Sequence, residues 1–224
     1  MSSENIHIPG LKMRKTIVVS NALIAENVRV LKFKRNFTFE SGQVIGITIS
    51  QEIQPRLYSI SSAETDEDIE ILYEIRPEGL LTPQLAMLST GSTVFISEPF
   101  GDFTSAKKNA WFIAAGTGIA PFLSAFRSGN RNYAKLIHGG RFLNSFYFES
   151  EISTYPIDFV RCCSQETGNG VYEGRLTVYL QNLPELPKNT DYYLCGSPEM
   201  VVQTRDILLL KGIKFENIFA EIYF

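Results

Sequence analysis

The sequence changes its periodicity close to its midpoint, and that change limits the folds open to the chain. Before about residue 106, short runs rich in Val, Ile, Thr and aromatic residues recur every 10–15 residues. They are TIVVSNALI (16–24), VRVLKFK (28–34), VIGITIS (44–50), LYSISS (57–62), IEILYEI (69–75) and TVFIS (93–97), with turn signals between them. This spacing predicts an antiparallel barrel or sandwich, with one short helix over 82–89. From about Ala110 onward, strand-like runs alternate with helical patterns. WFIAA (111–115) precedes a helix over 117–128, KLIHG (135–139) one over 142–150, FVRCC (159–163) one over 176–183, and YYLC (192–195) one over 198–211. The last run is IFAEIYF (218–224). Strand–helix alternation predicts a parallel sheet covered on both faces. Two domains are expected, 1–106 and 107–224, divided at the polar segment 105–109.

Composition excludes several classes. The 224 residues are 44% hydrophobic and 20% charged, as in an ordinary globular protein. A formal charge of −3 supplies no basic field for nucleic acid. No apolar run is long enough to span a membrane, and the first residues lack the apolar core of a secretion signal. The three cysteines, Cys162, Cys163 and Cys195, form no CxxC. They argue against a disulfide framework or metal site and for a reducing, cytoplasmic setting. Cys162 and Cys163 sit in a strand-like run and read as core. The acidic cluster ETDEDIE (64–70) reads as a solvated hairpin tip. A monomer is expected.

The sharpest local signal is WFIAAGTGIAPFLSAF (111–126), an apolar strand running through Gly116-Thr117-Gly118 into a helix. Such a turn is either a tight strand-to-helix connection or an anion cradle, where glycines let backbone amides approach a phosphate at a helix N-terminus. The strand before it, and its place at the start of an α/β half, favour the cradle.

Further motifs fall in order around this turn: Arg56-Leu57-Tyr58-Ser59, Gly79-Leu80-Leu81-Thr82, Pro99-Phe100-Gly101-Asp102-Phe103, His138-Gly139-Gly140-Arg141, Cys195-Gly196-Ser197-Pro198-Glu199-Met200 and a terminal Ala-Glu-Ile-Tyr-Phe. Together they resemble the ferredoxin–NADP⁺ reductase family, and within it the compact bacterial ferredoxin/flavodoxin reductases, from about Lys15 to Phe224. The resemblance implies a Greek-key antiparallel FAD-binding barrel followed by an α/β nucleotide-binding domain. It implies an enzyme using FAD and NADP(H), with NAD(H) left open, to exchange electrons with ferredoxin or flavodoxin. The alternatives are a reductase component of an oxygenase, a flavin reductase, or an electron-transfer subunit of a larger complex.

The resemblance also implies roles residue by residue. Arg56 would hold the FAD pyrophosphate, Tyr58 would lie against the isoalloxazine, and Ser59 would sit beside flavin N5, with Leu57 among the cofactor-binding residues. A guanidinium fork, a flat ring and a hydroxyl suit those tasks. Leu72, Tyr73 and Glu74 lie on a strand whose backbone approaches the flavin, and Tyr73 reads equally well as a barrel-face aromatic. Gly79, Leu80, Leu81 and Thr82 would wrap the pyrophosphate, with Thr82 capping the next helix. Cys195 would stand where nicotinamide C4 meets flavin N5, as a small polarizable side chain rather than a nucleophile, followed by Gly196, Ser197, Pro198 and Glu199. Glu221 matches an active-site carboxylate, Tyr223 the ring shielding the flavin, and Phe224 an extra residue beside the adenine. Catalytic roles fall on Ser59, Cys195 and Glu221. Gly140, Arg141, Ser164, Gln165 and Arg175 would contact NADPH, the two arginines through its 2′-phosphate. Gln165 departs from an Arg in the closest pattern, with Arg161 the nearby cation that could compensate. Gln203 departs from an acidic position.

Overall fold

The structure, a computed structural model, describes residues 5–8, 11–103, 109–130 and 132–223. Among these, seven strands form the first sheet: β1 (Asn5–Ile8), β2 (Leu11–Ala25), β3 (Val28–Lys34), β4 (Val44–Thr48), β5 (Arg56–Ser59), β6 (Asp68–Glu74) and β7 (Thr93–Ser97). Their order is β5-β4-β7-β2-β3-β6, with β1 on β2, and each pairing is antiparallel.

The long strand β2 serves two partners. Met13–Ile17 pair with β7 and Val18–Ala25 with β3. Register shifts at Val18/Ser20 and Leu23/Ala25 bend it, as β-bulges do when a sheet must curl. The sheet nearly closes on itself: Ile60 bridges to Ile71, and Ser61 N–H donates to Glu70 O at 2.8 Å, joining the β5 edge to β6. Alternate residues point inward and fill the barrel with Val18, Leu31, Phe33, Ile45, Ile47, Ile69, Ile71 and Ile96. The helix α1 (Thr82–Ala86) lies between β6 and β7 and buries Leu85.

The second sheet is parallel. It comprises β8 (Ala110–Ala115), β9 (Tyr133–Gly140), β10 (Asp158–Cys163), β11 (Tyr172–Glu173), β12 (Tyr192–Gly196) and β13 (Ile218–Ile222), in the order β11-β10-β9-β8-β12-β13. Trp111, Ile113, Ile137 and Leu194 on one face pack with Leu176 and Leu180 of α4 (Leu176–Asn182) and Ile207 and Leu208 of α5 (Pro198–Leu210). The other face carries a row of rings, with Phe112 edge-on to Tyr193 at 5.8 Å and Tyr193 stacked on Phe219 at 4.8 Å. Cys162 and Cys163 are buried in β10, as their strand-like context suggests.

Three expectations need correction. The predicted helix over 142–150 is a 3₁₀ turn at Leu143–Ser145 followed by one helical turn, α3 (Glu149–Ile152). Phe148 stands between them in the left-handed region (φ 60), and the aromatic-rich segment has little helix propensity to resist the break. The helix after β8 begins as a 3₁₀ turn, Gly116–Ile119, before α2 (Ala120–Arg127). The acidic cluster is not simply solvated. Glu64 accepts Ser41 N–H at 2.7 Å, Asp68 pairs with Lys34 at 2.9 Å, and Glu70 is buried.

Contacts gather the described residues into two units. The first holds the barrel strands and α1, and α2 packs with it. Ser124 Oγ donates to Ser62 O at 2.7 Å, Arg127 pairs with Glu70 at 2.6 Å and donates to Ser61 O at 2.9 Å, and the Phe122 ring lies 5.9 Å from Phe103. The parallel sheet, with α3 to α5, forms the second. Most of the expected dividing segment, residues 105–108 of 105–109, lies outside the described residues.

Candidate functional site

In the second unit the strand order reverses at β8, which has β9 on one side and β12 on the other. Connections leaving β8 and β12 depart in opposite directions there, so their C-terminal ends open a crevice, the usual ligand position in a parallel α/β sheet. Both of the sequence's strongest motifs for this unit end at that place. Gly116-Thr117-Gly118 follows β8, and Cys195-Gly196-Ser197 closes β12.

Packing explains the glycines. Gly116 adopts φ 55, where a side chain is strained. A Cβ on Gly118 would lie far inside van der Waals contact of the Cys195 carbonyl oxygen, so the turn presses directly on the end of β12. Buried His138 holds this turn from β9, its Nε2 lying 3.0 Å from Gly116 O. Burial lowers its pKa to about 4, so the ring is neutral and Nε2–H donates. Ser197 then caps α5, its hydroxyl accepting Met200 N–H, with Pro198 in the first turn.

Cys195 is fully buried and opposite Glu221 in the β12–β13 register. Its thiol donates to Glu221 Oε2 at 3.8 Å. Burial pushes its pKa well up, the Glu221 charge pushes it further, and a hydrogen bond from the Tyr223 side chain offsets part of this. Tyr223 N–H also donates to Gly196 O at 2.9 Å. The structure thus brings Cys195, Glu221 and Tyr223 together, with a neutral thiol at their centre. Phe224 lies outside the described residues.

The expected nucleotide contacts sit at the same C-terminal edge. Ser164 N–H donates to Gly140 O at 3.1 Å, and Gln165 N–H to Arg141 O at 2.9 Å. Arg175 immediately precedes α4, and NH1 lies 3.3 Å from Glu199 Oε1 in the first turn of α5. Arg161 does not compensate for Gln165, because its guanidinium is committed to Glu149 and to Gly170 O.

In the first unit, burial increases along β5. Arg56 and Leu57 are exposed, Tyr58 is half-buried, and Ser59 is buried. Tyr58 rests edge-on against Tyr73 at 6.4 Å. Tyr73 and Leu72 are themselves buried, and Glu74 pairs with Arg76. Gly79 closes the turn after β6, its N–H donating to Arg76 O at 2.9 Å. Leu80 is exposed and Leu81 buried. Thr82 does not cap α1. It is the first helical residue, and its hydroxyl accepts Arg76 N–H at 2.8 Å instead, tightening the turn.

The sequence profile of the oxidoreductase NAD-binding domain matches residues 112–206. The Escherichia coli flavodoxin/ferredoxin–NADP reductase is 29% identical over 193 residues, 75% of this chain and 77% of that protein. A ferredoxin NADP⁺ reductase from Neisseria gonorrhoeae, solved with bound FAD and NADP, superimposes with a TM-score of 0.88 at 21% identity, over 95% of this chain and 99% of that one. The chain shares the two-domain fold of a ferredoxin NADP⁺ reductase, and its second half matches the oxidoreductase NAD-binding domain.

The likeness extends to an oxygenase component. The electron transfer component of toluate 1,2-dioxygenase from Pseudomonas putida is 24% identical over 91% of this chain, which spans 64% of that protein. Within this ferredoxin–NADP⁺ reductase fold, the structure adds residues that sequence reasoning passed over. Asn21 Nδ2 donates to Leu85 O and Leu88 O at 2.8 and 3.0 Å, and its Oδ1 accepts the Tyr73 hydroxyl at 3.0 Å. It therefore ties α1 to the ring beneath Tyr58, from a strand position with no motif around it. His138 stood inside a quoted motif, but only the fold brings its ring to Gly116.

Proposed function

We propose that the chain is a flavin-dependent oxidoreductase that takes reducing equivalents from a nicotinamide dinucleotide onto FAD and passes them singly to a carrier protein, ferredoxin or flavodoxin. The observation that carries this reading is the meeting, where the strand order reverses, of the glycine turn with Cys195, Glu221 and Tyr223. FAD and the dinucleotide, when bound, supply hydride exchange and the change from electron pairs to single electrons.

The residues present fit these groups. Arg56 offers an exposed fork for a pyrophosphate, Tyr58 a half-exposed ring beside it, and Ser59 a hydroxyl on the same strand. At the parallel sheet, Gly118 lets the glycine turn close against the end of β12, which sets the position of the turn's backbone amides. The Cys195 thiol is kept neutral by burial and Glu221, so it does not act as a nucleophile. Glu221 holds the thiol proton and orients the sulfur. Arg141 and Arg175 support NADPH as donor, because each offers a guanidinium to a 2′-phosphate.

A second reading, a reductase component of an oxygenase, is favoured by the likeness to the toluate dioxygenase component over 91% of the chain. Three measurements test the first reading, and the last of them separates it from the second. Flavin released by denaturation is identified by chromatography, and FMN alone would contradict the FAD assignment. Arg56→Ala lowers flavin retention tenfold to a hundredfold, as loss of a charge-assisted contact of about 1.5–3 kcal/mol implies. Reduction of purified ferredoxin and flavodoxin supports the first reading, whereas activity only with an oxygenase partner supports the second.

A further inference from the structure

A carboxylate stands on one of the two cations expected to meet a 2′-phosphate. Arg175 NH1 lies 3.3 Å from Glu199 Oε1, and Gln203 Nε2, one turn further along α5, donates to the same oxygen at 3.2 Å. Position 203, acidic in the family pattern, is here the amide that holds Glu199 in place. The α5 N-terminus also favours a negative charge in its first turn. Gln165 is neutral and Arg161 is engaged elsewhere. Among the described residues no carboxylate pairs with Arg141. The cradle therefore presents Arg141 and Arg175 with one negative charge laid on the second.

The consequence rests on the nicotinamide reading above. Both members of the Arg175–Glu199 pair are about two-thirds exposed, so an entering ligand separates them at little cost. The carboxylate nevertheless remains within a few ångströms of whatever occupies the fork, where like charges repel through a medium well below bulk water in polarity. A 2′-phosphate meets that repulsion. A ribose 2′-hydroxyl instead finds an acceptor, the arrangement that suits a dinucleotide without the phosphate.

We propose that Glu199, held by Arg175 and Gln203, sets donor choice by offsetting Arg175 against a 2′-phosphate, so that NADH and NADPH are used within about tenfold of each other. The test is calorimetric titration of the flavin-loaded protein with 2′-phospho-AMP and with AMP, accompanied by kcat/KM for both donors. The proteins are the wild type, Glu199→Gln, Arg175→Ala and the double variant. Glu199→Gln raises the 2′-phospho-AMP to AMP affinity ratio about tenfold and the NADPH to NADH ratio in parallel. In the Arg175→Ala background the same change raises neither, because the fork that Glu199 offsets is gone. An unmoved ratio in Glu199→Gln, or an equal rise with and without Arg175, overturns the proposal and leaves the nicotinamide reading standing. A wild-type protein that binds neither fragment and is reduced by neither donor overturns both.

Discussion

The Cys195 thiol lies 3.8 Å from the Glu221 carboxylate, on a pair of residues that face each other across adjacent parallel strands. The register fixes this meeting, because β12 and β13 pair from Tyr192–Ile218 through Gly196–Ile222 and cannot slip without turning both side chains away. A buried thiol beside a carboxylate stays protonated, since burial and the negative neighbour both oppose the thiolate.

Thiol chemistry follows directly. Cys162, Cys163 and Cys195 are all buried, and burial pushes Cys162 up to about 12. At pH 8 the folded protein shows no rapid reaction with a thiol-specific disulfide reagent, and all three thiols react once it is unfolded in guanidinium. A fast stoichiometric reaction in the native state contradicts the neutral-thiol account of Cys195.

His138 makes stability depend on pH. Burial lowers its pKa to about 4, against about 6.5 in the unfolded chain. Between these values the unfolded state binds the extra proton, so stability falls as pH falls from above 6.5 toward 4. This contribution reaches about 3 kcal/mol near pH 4, at 1.36 kcal/mol per unit. Urea denaturation across that range shows a flatter dependence for His138→Gln than for the wild type. Parallel curves would mean that His138 is not buried neutral.

Gly118 tests the close approach of the turn to β12. In Gly118→Ala the new Cβ meets the Cys195 backbone, which cannot swing aside as a flexible side chain would. The expected cost is about 1–3 kcal/mol, as for overpacking elsewhere, with weaker dinucleotide binding. Gly129, with open space around its Cβ position but φ 80, supplies a control: Ala there strains only the local backbone. Equal dinucleotide binding in the two variants would contradict the role given to Gly118.

Glu70 and Arg127 test how α2 is held to the barrel unit. Glu70 is buried, which opposes its charge, yet Arg127, Lys32 and Ser61 together hold its carboxyl below the usual range. Arg127→Ala leaves that carboxylate without its closest cation, and breaking one side of a buried pair costs about 3–5 kcal/mol. The Arg127→Met/Glu70→Gln pair removes both charges and recovers much of that loss. A double variant as unstable as Arg127→Ala would mean that packing, not charge, holds α2.

Much of the fold was legible because its periods are plain. β3 and β7 have the bounds that their β-branched runs predict, and the parallel strands lie within a residue or two of theirs. β11 was not legible, since two residues carry no period. The α2 helix follows a parallel strand in sequence, yet it packs with the barrel unit through Ser124 and Arg127, a choice made by tertiary contacts alone. The same division holds at the candidate site. Short motifs mark Cys195 and Gly118, but nothing local announces that His138 holds Gly116, because the two are 22 residues apart in the chain.

The central claim is that this chain accepts reducing equivalents from a nicotinamide dinucleotide onto a bound flavin. Anaerobic titration of the purified yellow protein with NADPH, and separately with NADH, followed by visible absorption, tests it most directly. The account predicts stoichiometric loss of the flavin absorption with either donor, and its return when ferredoxin or flavodoxin is added in oxidised form. A protein that carries no flavin, or a flavin that neither dinucleotide reduces, would contradict it.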